Sequence, residues 1–212
     1  MSKGQILKVM LFSGIVALGL TVMLARHGFF TPEEGLNLHE ISGNADYQEG
    51  NIYDVPGIWT DQDGKQFTLA QFRGSPSAVV FFYTNCPDVC PVTVKELSNA
   101  MPKLSGPLKT RLQVIMISMD PEKDTPQAMK AYAKKLGLDP HQWHLLRGEE
   151  LPIKKVAGLF YFLIKPMEDK IHHFEHHKMV GVVDDTGLIK DRIMFDFKDP
   201  NTLNFQIQHA LN

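Results

Sequence analysis

Apolar, β-branched runs alternate with stretches of helical spacing along most of this chain, and few folds accept that order. Ala78 to Tyr83 (AVVFFY) and Leu112 to Ser118 (LQVIMIS) read as buried strands, and Val92 to Leu97 between them reads as the start of a helix. After the second strand Thr125 is placed to cap a helix with Pro126 at its first position. Ala128, Met129, Tyr132, Ala133 and Leu136 then recur at helical spacing, and Gly137 closes the helix. His144 to Leu146 reads as a short strand, Pro152 to Leu159 as a helix and Phe160 to Ile164 as another strand. Asp63-Gly64 within Gly57 to Leu69 signals one hairpin. Met179 to Val183, the turn Asp184-Asp185-Thr186-Gly187 and Leu188 to Phe195 make a second, and Pro200 to Leu211 looks like a closing helix. The expected class is α/β, a mixed central sheet flanked by helices.

The two cysteines of the chain sit in Cys86-Pro87-Asp88-Val89-Cys90, where the first of these strands turns into its helix. A helix N-terminus lowers a nearby thiol pKa toward the thiolate that binds metal or attacks disulfides. With three residues between them, the sulfurs stand one helical turn apart if both are helical, or as near neighbours if Cys86 lies in the preceding loop. Either arrangement can close a disulfide or chelate one ion. As a plain staple the pair is poor, because so short a loop removes little unfolded-chain entropy. A thioredoxin-like fold, with its dithiol at a strand-to-helix corner, fits this order of elements.

A net charge of −2 and the lack of a Lys/Arg-rich stripe leave no electrostatic footprint for nucleic acid. Val9 to Ala25 runs seventeen residues without a charge, after Lys3 and Lys8 and before Arg26. That length can just span a bilayer, and Met23-Leu24-Ala25-Arg26 is a poor cleavage site, so an uncleaved anchor is expected. The flanking charges put the N-terminus in the cytoplasm of a bacterial inner membrane and the remainder in the periplasm. The polar stretch that follows, dotted with Pro32, Gly35, Gly43 and Gly50, reads as a tether. The expected organisation is an anchor over 1–28, a tether over 29–56 and one domain over 57–212.

Two thiolates make a digonal site, and the chain offers further ligands in Ile171 to Lys178 (IHHFEHHK), with His172, His173, His176 and His177. Soft thiolates with one imidazole suit copper. If His176 and His177 enter the following strand they point to opposite faces, so at most one looks toward the cysteines.

Tyr83-Thr84-Asn85-Cys86-Pro87-Asp88-Val89-Cys90-Pro91, then Ile117-Ser118-Met119-Asp120-Pro121-Glu122-Lys123-Asp124-Thr125-Pro126, then a histidine before a strand and a DxxG turn, resemble the Sco/SenC family. Those are membrane-anchored, thioredoxin-like copper proteins that serve cytochrome c oxidase assembly, and the resemblance runs from about Gly57 to the C-terminus. It implies copper, as Cu(I) or Cu(II), held by Cys86, Cys90 and one later histidine. Counting back from Gly187, that ligand falls on His176, with His177 as the alternate. The chain departs from the family in having four histidines here instead of one, and Glu175 where Asp is usual.

The function implied is a copper metallochaperone for a cytochrome c oxidase subunit or another cuproenzyme, with a thiol reductase keeping the dithiol reduced. The alternative is a thiol-disulfide oxidoreductase acting on partner cysteines such as those of an oxidase copper site. CxxxC spacing and the later histidine favour the first. A peroxidase would need an activating arginine, and Arg73, the nearest in sequence, has no evident reason to approach. Asp120 and Asp124 read as turn and cap residues satisfying backbone donors. Met116, Met119, Met129, Trp59 and Trp143 read as packing.

Overall fold

The computed structural model describes residues 50–166, 174–175, 178–194 and 202–212, with 165–166 and 174–175 described by their backbone. The chain divides into two compact units, Met1–Tyr47 and Gln48–Asn212, and the second holds all the described residues. The expected anchor, most of the tether, and His172, His173, His176 and His177 lie outside them. Among the described residues no helix is long and apolar enough to cross a membrane.

The strands are β1 (Trp59–Asp61), β2 (Gln66–Phe67), β3 (Ser77–Phe82), β4 (Gln113–Ser118), β5 (Trp143–Arg147), β6 (Lys165–Pro166), β7 (Phe174–Glu175), β8 (Met179–Val183) and β9 (Ile189–Met194). The helices are α1 (Val89–Ala100), α2 (Leu108–Arg111), α3 (Pro126–Leu136), α4 (Glu150–Leu159) and α5 (Thr202–Leu211). Seven strands form one sheet in the order β2-β1-β5-β4-β3-β8-β9, and β6 pairs with β7 apart from it. β3, β4 and β5 run parallel, while β8, β9, β1 and β2 pair antiparallel. This is the mixed sheet flanked by helices that the alternation predicts.

Burial explains the continuous apolar runs. Every residue of β3 and of β8 is buried, so these central strands are covered on both faces and have no polar alternation to show. The edge strand β9 instead carries Lys190, Asp191 and Arg192, charges that discourage pairing with another chain. Trp59, Trp143, Met116, Met119 and Met129 are all buried, as their reading as packing requires. Ile52 and Tyr53 are buried as well, so the segment expected as a tether joins the core before Gly57.

The strand expected over Phe160 to Ile164 does not form. Tyr161 takes a left-handed backbone with φ 53°, and the N–H groups of Phe160 and Phe162 both return to the Ala157 carbonyl at 3.1 and 2.9 Å. The segment is spent on ending α4. Phe160 and Phe162 still enter the core, with Phe162 stacked on Phe81 at 4.4 Å between centroids, while Tyr161 and Leu163 face solvent. Strand pairing resumes at Lys165–Pro166.

Phe160 also presses on β8. A Cβ at Gly181 would lie 2.1 Å from Phe160 Cε1, so the strand passes the ring only without a side chain. Gly181→Ala should therefore destabilise the domain by about 1–3 kcal/mol through overpacking. Calorimetry checks this, and the loss should shrink when Phe160→Leu is combined with it.

Candidate functional site

β3 and β4 pair in register to their ends, with Phe82 opposite Ser118. Met119 N–H then donates to the Phe82 carbonyl at 2.8 Å, so the loops that follow the two strands leave the same edge of the sheet side by side. The first carries the cysteines and the second carries Asp120 and Asp124. β8 runs antiparallel to β3, so its start at Met179 lies toward that same edge.

The local sequence fixes the cysteine geometry. The Asp88 carboxylate caps α1 by accepting from Val89 N–H at 2.5 Å, so the helix begins three residues earlier than its spacing suggests. Cys90 is therefore helical and Cys86 lies in the preceding loop. Cys90 N–H donates to Cys86 Sγ at 3.3 Å, which makes the sulfur an acceptor at a helix N-terminus. Both thiols are buried, and no disulfide joins them.

Hydrogen bonding with Cys86 is the largest cause that pushes the Cys90 thiol well above its ordinary value, and burial and the Cys86 charge add to it. The expected depression by the helix terminus is outweighed at this residue. Cys90 is thus a protonated thiol at neutral pH, and it gives up its proton when a cation takes its place on sulfur. Two sulfurs so placed can hold a soft ion or, on losing two electrons and two protons, close a disulfide.

Asp124 does more than the turn-and-cap role expected of it. It is fully buried, and its Oδ1 accepts from Thr84 N–H at 3.0 Å and Thr84 Oγ1 at 2.6 Å, while Oδ2 accepts from Ser118 Oγ at 2.5 Å. The carboxyl, forty residues on from Thr84, fastens the cysteine loop to the end of β4. Burial raises its pKa, and the bonds from Ser118 and Thr84 oppose that rise. Asp120 closes the turn through its backbone carbonyl, which accepts from the Lys123 and Asp124 N–H groups at 3.1 and 2.9 Å, while its carboxylate bonds to Lys123 Nζ at 3.0 Å and not to the backbone donor expected of it. Thr125 caps α3 as expected, accepting from Ala128 N–H at 3.2 Å.

A cleft of about 340 Å³ opens beside Cys86, lined by Thr84, Asn85, Pro87, Pro91, Tyr132, Lys135 and Leu136. Tyr132 reads as a core residue of α3, yet its hydroxyl is buried with no hydrogen-bond partner among the described residues. Its pKa is driven far up, first by burial and then by the charges of Cys90, Cys86 and Asp124. The helical spacing that marked Tyr132 as buried carried no sign of which neighbours its hydroxyl would meet.

The remaining candidates fall elsewhere. Arg73 bonds to Asp54 at 2.5 Å and to the Thr186 carbonyl at 2.9 Å. The expected DxxG turn forms. Burial disfavours the charge on Asp184, but the Thr186 hydroxyl and the backbone N–H groups of Leu188, Thr186 and Gly187 overcome it and hold the carboxyl below its usual range. Among the described residues no three His, Cys, Asp or Glu side chains converge on one point, so Cys86 and Cys90 stand as a two-sulfur set there.

A reduced dithiol at the strand-to-helix corner of a mixed, helix-flanked sheet defines a thioredoxin-like dithiol protein. Comparison with known proteins narrows that class: residues 47–212 match the SCO1/SenC family model, and the chain belongs to that family. It is similar to an SCO2-like protein of Rickettsia conorii, at 27% identity over 207 residues, covering 94% of this chain and 93% of the relative. The structure of Bradyrhizobium japonicum ScoI with copper bound matches at TM-score 0.60 and 32% identity, covering 74% of this chain and 98% of that one. Yeast Sco1 with copper bound matches at TM-score 0.60 and 25% identity, covering 73% and 85%.

Proposed function

We propose that this chain is a membrane-anchored copper metallochaperone whose cargo ion is held by Cys86, Cys90 and His176. The observation that carries the reading is the buried, reduced pair, with Cys86 Sγ 3.3 Å from the Cys90 amide, on the domain of a family whose members have been solved with copper bound. Thiolates are soft ligands suited to copper, and one imidazole completes a trigonal set. His176 is the third ligand by its distance from the Asp184 to Gly187 turn. Supporting it, β8 starts three residues later at Met179, toward the sheet edge that carries the cysteines.

In this reading Val9 to Ala25 spans the inner membrane, the residues after it tether the domain, and the domain faces the periplasm. The recipient is a cytochrome c oxidase subunit or another cuproenzyme. Copper passes by ligand exchange: a recipient ligand bonds to the ion as one bond to the dithiol breaks, and the Cys90 sulfur regains its proton. Oxidation of the pair to a disulfide removes both sulfur ligands. A thiol reductase outside the cytoplasm must then return two electrons before copper binds again.

The closeness of the two thiols also supports the second reading, a thiol-disulfide oxidoreductase acting on partner cysteines. Copper(I) titration against a competing chelator, with X-ray absorption on the loaded protein, separates the two. His176→Ala should lose the imidazole contribution to the absorption spectrum and weaken copper(I) binding by more than about tenfold, since even groups that only support a ligand cost about 10–100-fold when removed. Loss in His177→Ala alone would move the third ligand by one residue. Disulfide reduction that persists in His176→Ala while copper binding fails would favour the oxidoreductase.

A further inference from the structure

We propose that the Tyr132 hydroxyl is a hydrogen-bond donor held for the Cys86–Cys90 sulfurs, a positioning group that engages them when they carry negative charge on binding copper. The inference rests on the copper reading above.

Tyr132 is 7% exposed, its ring packs on Phe82 at 5.7 Å, and it lines the same cleft as Cys86. Its Oη has no acceptor among the described residues, although a buried hydroxyl left unsatisfied is costly. A negative charge placed on Cys90, Cys86 or Asp124 would be felt at the hydroxyl. Asp124 is already engaged, with two hydrogen bonds from Thr84 on one oxygen and one from Ser118 on the other. Cys86 shares the cleft with Tyr132, and its sulfur is the acceptor there whose strength changes when copper binds. As neutral thiols the sulfurs are weak acceptors, which suits an unmade bond in the reduced, metal-free dithiol. As copper-bound thiolates they are strong ones, and a phenol, whose ordinary pKa is about 10, keeps its proton to give.

The placement is well supported from both sides. Asp124 ties the cysteine loop to the segment that caps α3, so the helix carrying Tyr132 and the loop carrying Cys86 are fixed to each other by Thr84, Ser118 and Thr125. Phe82, the last residue of β3, supports the ring from beneath the cysteine loop.

Tyr132→Phe keeps the ring and removes the donor. In the full chain loaded with copper(II), loss of a hydrogen bond to thiolate raises the energy of the sulfur electrons, so the sulfur-to-copper charge-transfer band should move to longer wavelength. Copper(I) affinity should fall about tenfold, the range of one hydrogen bond to a charged group. Metal-free thermal stability should be unchanged or higher, because no bond made by that hydroxyl is lost. As a second probe, 3-fluorotyrosine at position 132, a stronger donor of nearly the same shape, should move the band to shorter wavelength. An unmoved band in both variants, with copper bound as in the unmodified chain, would overturn this proposal and leave the chaperone reading standing. Failure of the unmodified chain to bind copper would overturn both.

Discussion

Cys86→Ser and Cys90→Ser should each weaken copper(I) binding by about a hundred- to a thousandfold, measured by competition with a chelator of known affinity. The size follows from the ligand count: about 10–16 kcal/mol for a four-ligand structural metal site leaves roughly 2.5–4 kcal/mol for each ligand. Serine cannot substitute, because a hydroxyl is harder than a thiol and keeps its proton at neutral pH. The fold should survive, since Ser differs little in size from Cys and the sheet around β3 is packed by apolar side chains on both faces. Oxidising the unmodified chain to the Cys86–Cys90 disulfide should copy the double loss, and dithiothreitol should reverse it. Two variants that bound copper as well as the unmodified chain would remove the chaperone reading altogether.

Asp124→Ala should have the largest effect of any change outside the cysteines, costing roughly 3–5 kcal/mol of stability. Three donors would lose their acceptor at once: Thr84 N–H, Thr84 Oγ1 and Ser118 Oγ. Each buried donor left unsatisfied costs about 1–3 kcal/mol, partly relieved where a hydroxyl can rotate to another acceptor. Copper(I) affinity should fall with it, because the Thr84 anchorage of the cysteine loop goes. Asp124→Asn tests the mechanism, since its carbonyl oxygen can still accept from Thr84 and its amide can donate to Ser118 Oγ. Most of the stability should return. The pH dependence should also change. Burial holds the Asp124 pKa above its unfolded value, so it contributes stability that is present below the unfolded carboxylate pKa and lost as pH rises through the folded one. That descending limb should vanish in Asp124→Asn, as urea melts between pH 4 and pH 8 would show. An alanine variant as stable as the original would mean that the loop is held by other contacts.

Local chemistry made much of the molecule legible before folding was considered. Thr125, Pro126 and Gly137 bound α3 as their caps predict, with Gly137 left-handed at φ 66°. The turn at Asp184 to Gly187 forms between β8 and β9, and the hairpin around Asp63-Gly64 pairs Trp59 with Phe67. The cysteine motif sits where strand meets helix. Phe160 to Ile164 misled for an equally local reason: its apolar run reads as a strand, but an apolar run alone does not distinguish a strand from a helix end that buries only Phe160 and Phe162.

The sequence by itself determined the order of elements, the dithiol and its place at the start of a helix, because strand runs, caps and turns depend on neighbours within a few residues. Only the tertiary structure decided that Asp124 holds Thr84 across forty residues, that the thiols are buried, and that Tyr132 lines the cleft beside Cys86. Those facts arise from the parallel register of β3 with β4. Pairing Phe82 with Ser118 brings two loops distant in sequence to one sheet edge, and the charges, hydrogen bonds and desolvation that tune the sulfurs exist only once that register is set.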